Sequence, residues 1–382
     1  MSTRATLWGL VVAVLMALSC RDASTCNVPV FRYALENWPP EDYDVVVFHR
    51  GALSDADRKS VDALKQISEN IVARPNLTVR TANVLEVMDP KTKKLFETQG
   101  DAALPRVVAL FPAGTQIAWA GPLTPGLTQP LTGSPVRAKV TKLLASGESV
   151  VFVLVEGGDA KEDDRIVTFL GNQLAEFKKT FAFPEDDGSS PPSRRRLDLP
   201  LRLSFSIVRL PRADAGEKHF REMLLNLDPD IRADQAAVYP VFGRGRALCG
   251  MAGQAIDAKT LSECLEFLTS GCSCQVKQLN PGVDLLMTAD WEQLLEEAVQ
   301  AAGNSAEKTP SAVQPATPIA PNFVEIAPQA TVAAAPLRSA ETSNPSESRT
   351  LLWIATAVAA GLVVVTGAQA LKIRSRRRNH LS

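Results

Sequence analysis

Short apolar runs alternate with amphipathic stretches through the middle of the chain. Asp44–Phe48 and Val150–Val155 consist almost entirely of valine and other apolar residues, which is typical of buried strands. At Ser54–Ile71 and Asp163–Phe177, apolar residues recur every three or four positions and therefore predict amphipathic helices. Strands that alternate with helices in this way predict an α/β fold, of the α+β kind with mixed sheets.

The predicted elements run in the order β-α-β-α-β-β-α and then repeat this order. The first pass covers residues 44–147 and the second covers residues 148–301. After the third strand of each pass, Leu110–Ile117 (LFPAGTQI) aligns with Val241–Leu248 (VFGRGRAL). This alignment predicts an internal duplication. A chance coincidence of turn residues is the alternative.

Each pass has one proline close to its third strand. Leu104-Pro105 comes directly before that strand in the first pass, and Tyr239-Pro240 lies within it in the second. The element order, together with Leu104-Pro105, resembles the thioredoxin fold, which carries a cis-proline at this point. The resemblance implies two thioredoxin-like units, with Pro105 and Pro240 as the cis-proline candidates.

The redox motif of that fold is missing from both passes. A thioredoxin-type oxidoreductase holds Cys-x-x-Cys after its first strand, where a helix N-terminus lowers the thiol pKa. The matching segments here are His49–Ser54 (HRGALS) and Glu156–Lys161 (EGGDAK), and neither contains a cysteine. Both units are therefore expected to be redox-inactive. No catalytic residue, cofactor or metal is assigned, and the sequence favours a binding role over an enzyme activity.

The first residues of the chain, 1–19, are typical of a secretory signal peptide. Arg4 precedes an apolar run, and small residues come directly before Cys20. Ala17–Cys20 also resembles a bacterial lipobox, with alanine where leucine is usual, so Cys20 is a candidate for lipid attachment. Residues 20–43 form a Cys/aromatic segment that is expected to pack against the units.

The other end of the chain predicts a membrane anchor. Leu351–Leu371 contains no charged residue and is long enough to cross a bilayer as one transmembrane helix. The basic tail, residues 372–382, follows directly, which places the tail in the cytoplasm and the preceding chain outside the cytoplasmic membrane. Residues 302–350 are rich in proline and alanine and predict an extended linker. We therefore expect a single-pass protein with a periplasmic ectodomain on a Pro-rich stalk.

Composition excludes several function classes. The formal net charge is −1, whereas a nucleic-acid binder normally carries a basic excess. The three histidines, His49, His219 and His380, are too few for His-rich metal chemistry. Nucleotide-binding, zinc-protease and serine-hydrolase motifs are absent from the sequence. The segment 183–200 lacks core-forming residues and predicts a surface loop in the second unit.

Cysteines supply the competing chemistry. Cys272-Ser273-Cys274 is a closely spaced dithiol, and Cys249 and Cys264 precede it in the same unit. In an extracytoplasmic protein these four residues are candidates for two disulfides. Free or buried thiols are a second interpretation. A thiol–disulfide or soft-metal site, centred on Cys272 and Cys274, is the third.

Three longer segments are similar to a family of bacterial membrane-anchored proteins of unassigned function. They read CNVPVFRYALENW, LPRVVALFP and CSCQVKQLNPGVDLLMTADW. The similarity implies a bacterial envelope setting and implies no activity. The sequence thus predicts a non-catalytic envelope protein for binding or assembly, with a protein partner in the envelope and a membrane transport complex as one candidate. The alternative is a thiol-disulfide or soft-metal handling protein that uses Cys272 and Cys274.

Overall fold

The computed structural model describes residues 28–112, 114–183, 197, 199–271, 276–307 and 322–324. Residues 305–307 and 322–324 are described by their backbone alone. The chain divides into two units, Met1–Gln329 and Ala330–Ser382, and the second unit lies outside the described residues.

Several sequence predictions concern residues outside this description. They are the signal peptide at 1–19, Cys20, Cys26, most of the loop 183–200, Cys272, Cys274, most of the linker 302–350, the transmembrane helix 351–371 and the tail 372–382. Within the described part of the chain, no helix is long and apolar enough to cross a membrane. The membrane and export predictions therefore stay predictions.

The first sheet has four strands: β1 (Tyr43–His49), β2 (Leu77–Asn83), β3 (Arg106–Leu110) and β4 (Ile117–Pro122). They lie in the order β2-β1-β3-β4, with β1 and β2 parallel and β3 antiparallel to both of its neighbours. Val45, Val46 and Val47 of β1 are fully buried. A strand that is covered on both faces needs no polar face, which is why an unbroken valine run forms β1.

The helices of the first half are α1 (Val30–Asn37), α2 (Asp55–Ser68), α3 (Pro90–Glu97), α4 (Thr128–Thr132) and α5 (Pro135–Ala145). Side-chain caps begin three of them, because Ser54, Asp89 and Ser134 each accept an N–H of the first helical turn. Pro90 and Pro135 occupy the first helical position, where a missing N–H costs nothing. These caps and prolines set the start of α2, α3 and α5.

The second sheet contains β5 (Val150–Val155), β6 (Phe205–Leu210), β7 (Ala237–Phe242), β8 (Arg246–Ala247), β9 (Met251–Ala252), β10 (Val283–Asp284) and β11 (Asn322–Val324). Its order is β10-β8-β7-β5-β6-β11, and β9 pairs with the start of β7. The four strands β6-β5-β7-β8 repeat the order and directions of the first sheet. The mixed α/β prediction is therefore confirmed.

The helices of the second half are α6 (Ala160–Thr180), α7 (Lys218–Leu227), α8 (Ala258–Thr269) and α9 (Trp291–Glu307). After the turn that follows β7, the chain forms the two short strands β8 and β9 rather than one continuous strand. Gly250 separates them, because its N–H donates to Asp228 Oδ2 at 2.6 Å and so leaves the ladder. Helix α9 continues past residue 302, where the predicted linker begins.

The turn between the third and fourth strands matches in the two sheets. The Gly114 N–H donates to the Phe111 carbonyl at 3.3 Å, and the Gly245 N–H donates to the Phe242 carbonyl at 3.2 Å. These are the pairs that the sequence alignment of the two passes predicts. The shared bond supports the internal duplication at the level of backbone geometry.

Two helices pack across the boundary between the passes. Val140 and Leu144 of α5 belong to the buried cluster that also contains Val151 and Val153 of β5. Helix α5 therefore follows the first sheet in sequence but covers the second. Helix α7 follows β6 of the second sheet in sequence, yet its Met223 is buried with the core of the first sheet. The predicted division at residues 147 and 148 stays a prediction, and these helices show which contacts it would cut.

Helix α1 also packs against the second sheet. Phe31 and Ala34 lie in the cluster formed by β5, α6 and α8. The Val30 N–H donates to the Ser270 carbonyl at 3.0 Å, and Pro29 bridges to Gly271 in antiparallel fashion. The segment before β1 thus packs on the far half of the chain.

Candidate functional site

The loop after β1, His49–Ser54, occupies the first position where a redox motif would stand. Gly51 has a φ of 66°, which favours glycine, and its N–H donates to Asn83 Oδ1 at 3.0 Å. The His49 ring places Nδ1 2.8 Å from the Gly51 carbonyl oxygen. Ser54 accepts the Asp57 N–H at 3.1 Å and caps α2. The loop is thus held by its own side chains, and the helix N-terminus is already capped.

Exposed apolar side chains lie beside this loop. Leu85 is 65% exposed and Val87 is completely exposed, in the connection from β2 to α3.

The Leu104-Pro105 peptide bond is cis, as the thioredoxin resemblance implies for the first pass. The Tyr239-Pro240 bond is not cis. Pro240 lies inside β7, where its carbonyl accepts the Leu248 N–H at 2.9 Å.

The loop after β5, Glu156–Lys161, is closed by a buried carboxylate. Asp163, only 2% exposed, accepts the Gly157 N–H at 3.0 Å and the Gly158 N–H at 3.4 Å. Burial raises the pKa of Asp163, and the two N–H donors oppose that rise. Asp159 caps α6 by accepting the Lys161 N–H at 3.0 Å. The donors that could stabilise a thiolate here are used within the chain.

A cavity of about 610 Å³ opens beside the second loop. Arg209 lines it and donates to Glu156 Oε1 and Asp164 Oδ1, both at 2.6 Å. Arg212, also in the lining, donates to the Gly157 carbonyl. The cavity is therefore lined by paired charges, and its lining includes no Ser, Cys or His that could act as a nucleophile.

The two described candidates of the thiol site have protonated thiols at neutral pH. Cys249 is exposed, Cys264 is partly buried, and both are free. Burial raises the pKa of Cys264 to about 12, and burial also raises the pKa of Cys249. Because the thiolate is the nucleophile and the metal ligand, both residues are poor candidates for catalysis. Within the described residues, no group of three or more His, Cys, Asp or Glu side chains could hold a metal ion.

The other two members, Cys272 and Cys274, lie outside the described residues. Two described residues that are close in sequence to Cys26 and to Cys272 lie side by side in the fold. Pro29 and Gly271 are bridged to each other. Cys26 is three residues before Pro29 in sequence, and Cys272 is one residue after Gly271.

The ring of His219 lies beside the ring of Trp119, tilted by 45°. The His219 ring centroid lies 4.8 Å from that of Trp119, whose Nε1 donates to Glu222 Oε2 at 3.0 Å. The Nδ1 of His219 is buried without a hydrogen-bond partner. Burial lowers the pKa of His219, so the ring is neutral at physiological pH. The neighbouring cavity measures about 310 Å³.

A larger groove, about 1,100 Å³, crosses the first sheet between α3 and the β3–β4 turn. Leu95, Leu110 and Ile117 lie along it, beside the ion pair of Arg80 with Asp44 at 2.9 Å. Sequence analysis did not single out this groove. It arises because α3, eight residues long, covers only part of the sheet.

Sequence analysis also did not identify Asn83, Asp163 or Arg209 as residues that organise the two loops. One signal was present for Asp163, since an acidic residue in the first turn after Gly157-Gly158 is a common cap pattern. Asn83 and Arg209 reach their loops across the sheet from β2 and β6. Such contacts leave no pattern in the sequence.

Comparison with known proteins adds little to this geometry. No family model matches the chain, and no curated protein matches it. A solved structure, that of the first two thioredoxin domains of Saccharomyces cerevisiae Eps1p, is similar at 12% identity and a TM-score of 0.20. The match covers 61% of this chain and 93% of that chain. A likeness at this TM-score carries no argument about the site.

Proposed function

We propose that the chain is a non-catalytic binding or assembly protein built from two thioredoxin-like units without a redox motif. The observation that carries the proposal is that both loops where the motif would stand are closed by hydrogen bonds within the chain. Asn83 holds Gly51 in the first loop, and Asp163 holds Gly157 and Gly158 in the second. Neither loop contains a cysteine, and these hydrogen bonds hold the loop backbone in place.

The thioredoxin-like assignment is supported by topology. Each sheet has a parallel first pair of strands, an antiparallel third strand and an antiparallel fourth. The cis bond at Leu104-Pro105 stands where the resemblance implies it. The second unit departs from the pattern at Pro240.

The setting of the protein is proposed from sequence. The signal peptide at 1–19, the span 351–371 and the basic tail 372–382 support an ectodomain outside the cytoplasmic membrane of a bacterium. A protein of the envelope would be the partner, and a membrane transport complex is one candidate. The formal net charge of −1 argues against nucleic acid as the partner.

A disulfide-exchange assay tests the non-catalytic proposal. The full-length protein should reduce insulin with dithiothreitol no faster than dithiothreitol alone. The double variant Arg50→Cys, Leu53→Cys restores Cys-x-x-Cys after β1 and provides the matched comparison. Turnover by the unmodified chain would contradict the proposal, whatever the double variant does.

The thiol alternative is favoured by one observation. Because Pro29 and Gly271 are bridged, the segments that lead to Cys26 and to Cys272 start from adjacent positions. Thiol counting by mass spectrometry, with metal analysis of the same sample, separates the two functions. The variant Cys272→Ser, Cys274→Ser should leave metal content and disulfide exchange unchanged under our main proposal, with Cys249→Ser as the control. Loss of bound metal or of exchange activity in the double variant alone would support the alternative.

A further inference from the structure

The first sheet ends in β4 on one side and in β2 on the other. At the edge of β4, the Asn226 side chain donates to the Ala118 carbonyl at 2.9 Å, and Gln116 donates back to the Asn226 carbonyl at 2.6 Å. In the second sheet, β8 and β6 each pair with one further strand, β10 and β11, which are the edge strands of that sheet. Strand β2 has no such further strand and pairs with β1 alone within the described residues.

The outward side of β2 can be deduced from its bonds to β1. The Tyr43 N–H donates to the Asn76 carbonyl and the Val84 N–H donates to the His49 carbonyl, both at 2.9 Å. In a parallel ladder, alternate residues of a strand bond to the same neighbour. Thr78, Arg80 and Ala82 therefore bond to β1. The N–H and C=O groups of Val79 and Thr81 point away from the sheet.

This edge is long and accessible. Strand β2 has seven residues, and Thr78 and Thr81 are exposed on it. Its only charged residue, Arg80, is engaged by Asp44. Proteins usually protect such edges with charges, prolines or bulges, because an unpaired edge is a template for another strand. Leu77–Asn83 contains no proline, and its pairing with β1 has no bulge, so Arg80 is the only such device in the strand.

The second sheet shows what the equivalent edge accepts. Strand β6 is the counterpart of β2, because each is the second strand of its sheet and runs parallel to the first. On its outer side β6 carries β11 in parallel, with Asn322 opposite Ser206 and Val324 opposite Val208. The docked segment is short, and Pro321 and Pro328 flank it in sequence. Prolines limit how far such a strand can extend.

We propose that the outer edge of β2 binds a short extended segment of a partner protein by parallel strand addition. This inference rests on the proposed binding function and names its mode. Backbone bonds to Val79 and Thr81 would supply the affinity, and the segment would resemble Asn322–Val324 in being short and largely apolar. Asn322–Val324 of a second copy is not the occupant, since that segment already pairs with β6 of its own chain.

Hydrogen exchange on the full-length protein tests the inference. The probe is a synthetic peptide that copies residues 319–328, IAPNFVEIAP. With the peptide at about ten times its Kd, the Val79 and Thr81 amides should exchange about tenfold more slowly, while Thr78 and Arg80 stay unchanged. A control peptide with Val324→Pro loses a strand N–H and should give no protection. Unchanged exchange at Val79 and Thr81 in saturating peptide would overturn the inference.

Edge variants provide the matched comparison. Thr81→Pro removes an outward N–H and should abolish the effect of the peptide, whereas Thr81→Val keeps the N–H and should preserve it. Circular dichroism checks that both variants fold. If Thr81→Pro does not fold, the comparison of wild-type exchange with and without the peptide decides whether the edge binds it. Protection that rises with protein concentration in the absence of peptide would show a second copy at the edge and overturn the partner assignment. Failure here leaves the disulfide-exchange result intact, so the two proposals can fail separately.

Discussion

The two sheets share a strand order but differ in how their faces are covered. On the second sheet, the face formed by Val151 and Val153 is covered by α5, α7 and α9. On the first sheet, the matching face carries Val46 and Phe48 beneath the short helix α3, and the groove of about 1,100 Å³ remains beside it. Strand order therefore does not determine how much of a sheet's face the helices cover. The second sheet is completed by a helix from the first pass, and the first sheet keeps open surface.

The surface that remains open is consistent with a binding role. The first sheet has the uncovered groove, the open edge of β2 and the exposed side chains Leu85 and Val87. In the second sheet, the strands that match β2 and β4 each pair with a further strand, and Arg209 in the lining of the cavity is paired with Glu156 and Asp164. We therefore expect partners to contact the first sheet, while the second sheet supplies stability.

The largest expected effect comes from cutting the chain between the two passes. A fragment of residues 28–147 would expose Val136, Val140 and Leu144 of α5, which are almost fully buried in the intact chain. Burial of each such side chain contributes about 1.5–3 kcal/mol, and a domain's total stability is about 5–15 kcal/mol. We expect this fragment to be unfolded or aggregated, while residues 28–307 fold. A cooperative urea transition in the short fragment would show that the first sheet is independent.

The next effect concerns the junction between the halves. Asn76 directly precedes β2. Its side chain donates to the Glu41 carbonyl at 2.8 Å and to the Leu285 carbonyl at 3.1 Å, and it accepts the Met287 N–H at 2.7 Å. Asn76→Leu leaves these buried groups without partners. Each of the three groups costs about 1–3 kcal/mol, so we expect a loss of at least about 3 kcal/mol in the free energy of unfolding.

Urea denaturation measures the Asn76→Leu effect. The control is Asn70→Leu, since the side chain of the exposed Asn70 accepts the N–H groups of Val72 and Ala73 in its own turn and makes no contact across the junction among the described hydrogen bonds. Its loss should be about 1 kcal/mol or less. Equal losses in the two variants would mean that the junction contributes nothing special.

Much of the fold could be predicted from the sequence. The apolar run placed β5 at its observed ends, and periodicity predicted α2 and α6 to within three residues at each end, because caps and apolar spacing are local signals. It missed α1, whose helical turns depend on burial of Phe31 and Ala34 against the second sheet. It also assigned α5 to the sheet that precedes it, since the sequence does not show which sheet a helix face contacts.

The candidate site was predicted in part. The absence of cysteine from His49–Ser54 and Glu156–Lys161 follows from the sequence alone. The closure of these loops by Asn83 and Asp163 does not, because it depends on contacts between strands and on the start of α6. The open edge of β2 could not be predicted from the sequence either, because an edge strand is recognised only by the lack of a neighbouring strand in the folded sheet.

A smaller effect separates the two loops themselves. In Gly157→Ala the new Cβ would lie 2.7 Å from the Ala236 backbone nitrogen, whereas in Gly51→Ala it would meet only a side-chain atom at 3.9 Å. The first change forces a backbone shift and should cost about 1–3 kcal/mol. The second costs about 1 kcal/mol through the positive φ of Gly51. Thermal unfolding of both variants tests the order, and a larger loss for Gly51→Ala would show that the first loop is the tighter one.

The smallest expected effect is a pH dependence at the contact between Trp119 and His219. Burial lowers the pKa of His219; Glu222 opposes this, while Lys218 and Arg137 add to it. The folded protein therefore binds the proton more weakly than the unfolded chain, whose histidine pKa is about 6.5. As pH falls through about 6.5, the unfolded chain is protonated first, and the free energy of unfolding decreases.

His219→Phe removes this titration and keeps a ring beside Trp119. Between about pH 7.5 and about pH 5.5, the wild type should lose more stability than the variant, while the two should show no pH-dependent difference above about pH 7.5. Urea unfolding followed by tryptophan fluorescence measures both curves. Parallel curves would mean that His219 is protonated as easily in the folded protein as in the unfolded chain. The Trp119 contact would then be open to water, and the first sheet would have one more uncovered surface than the structure indicates.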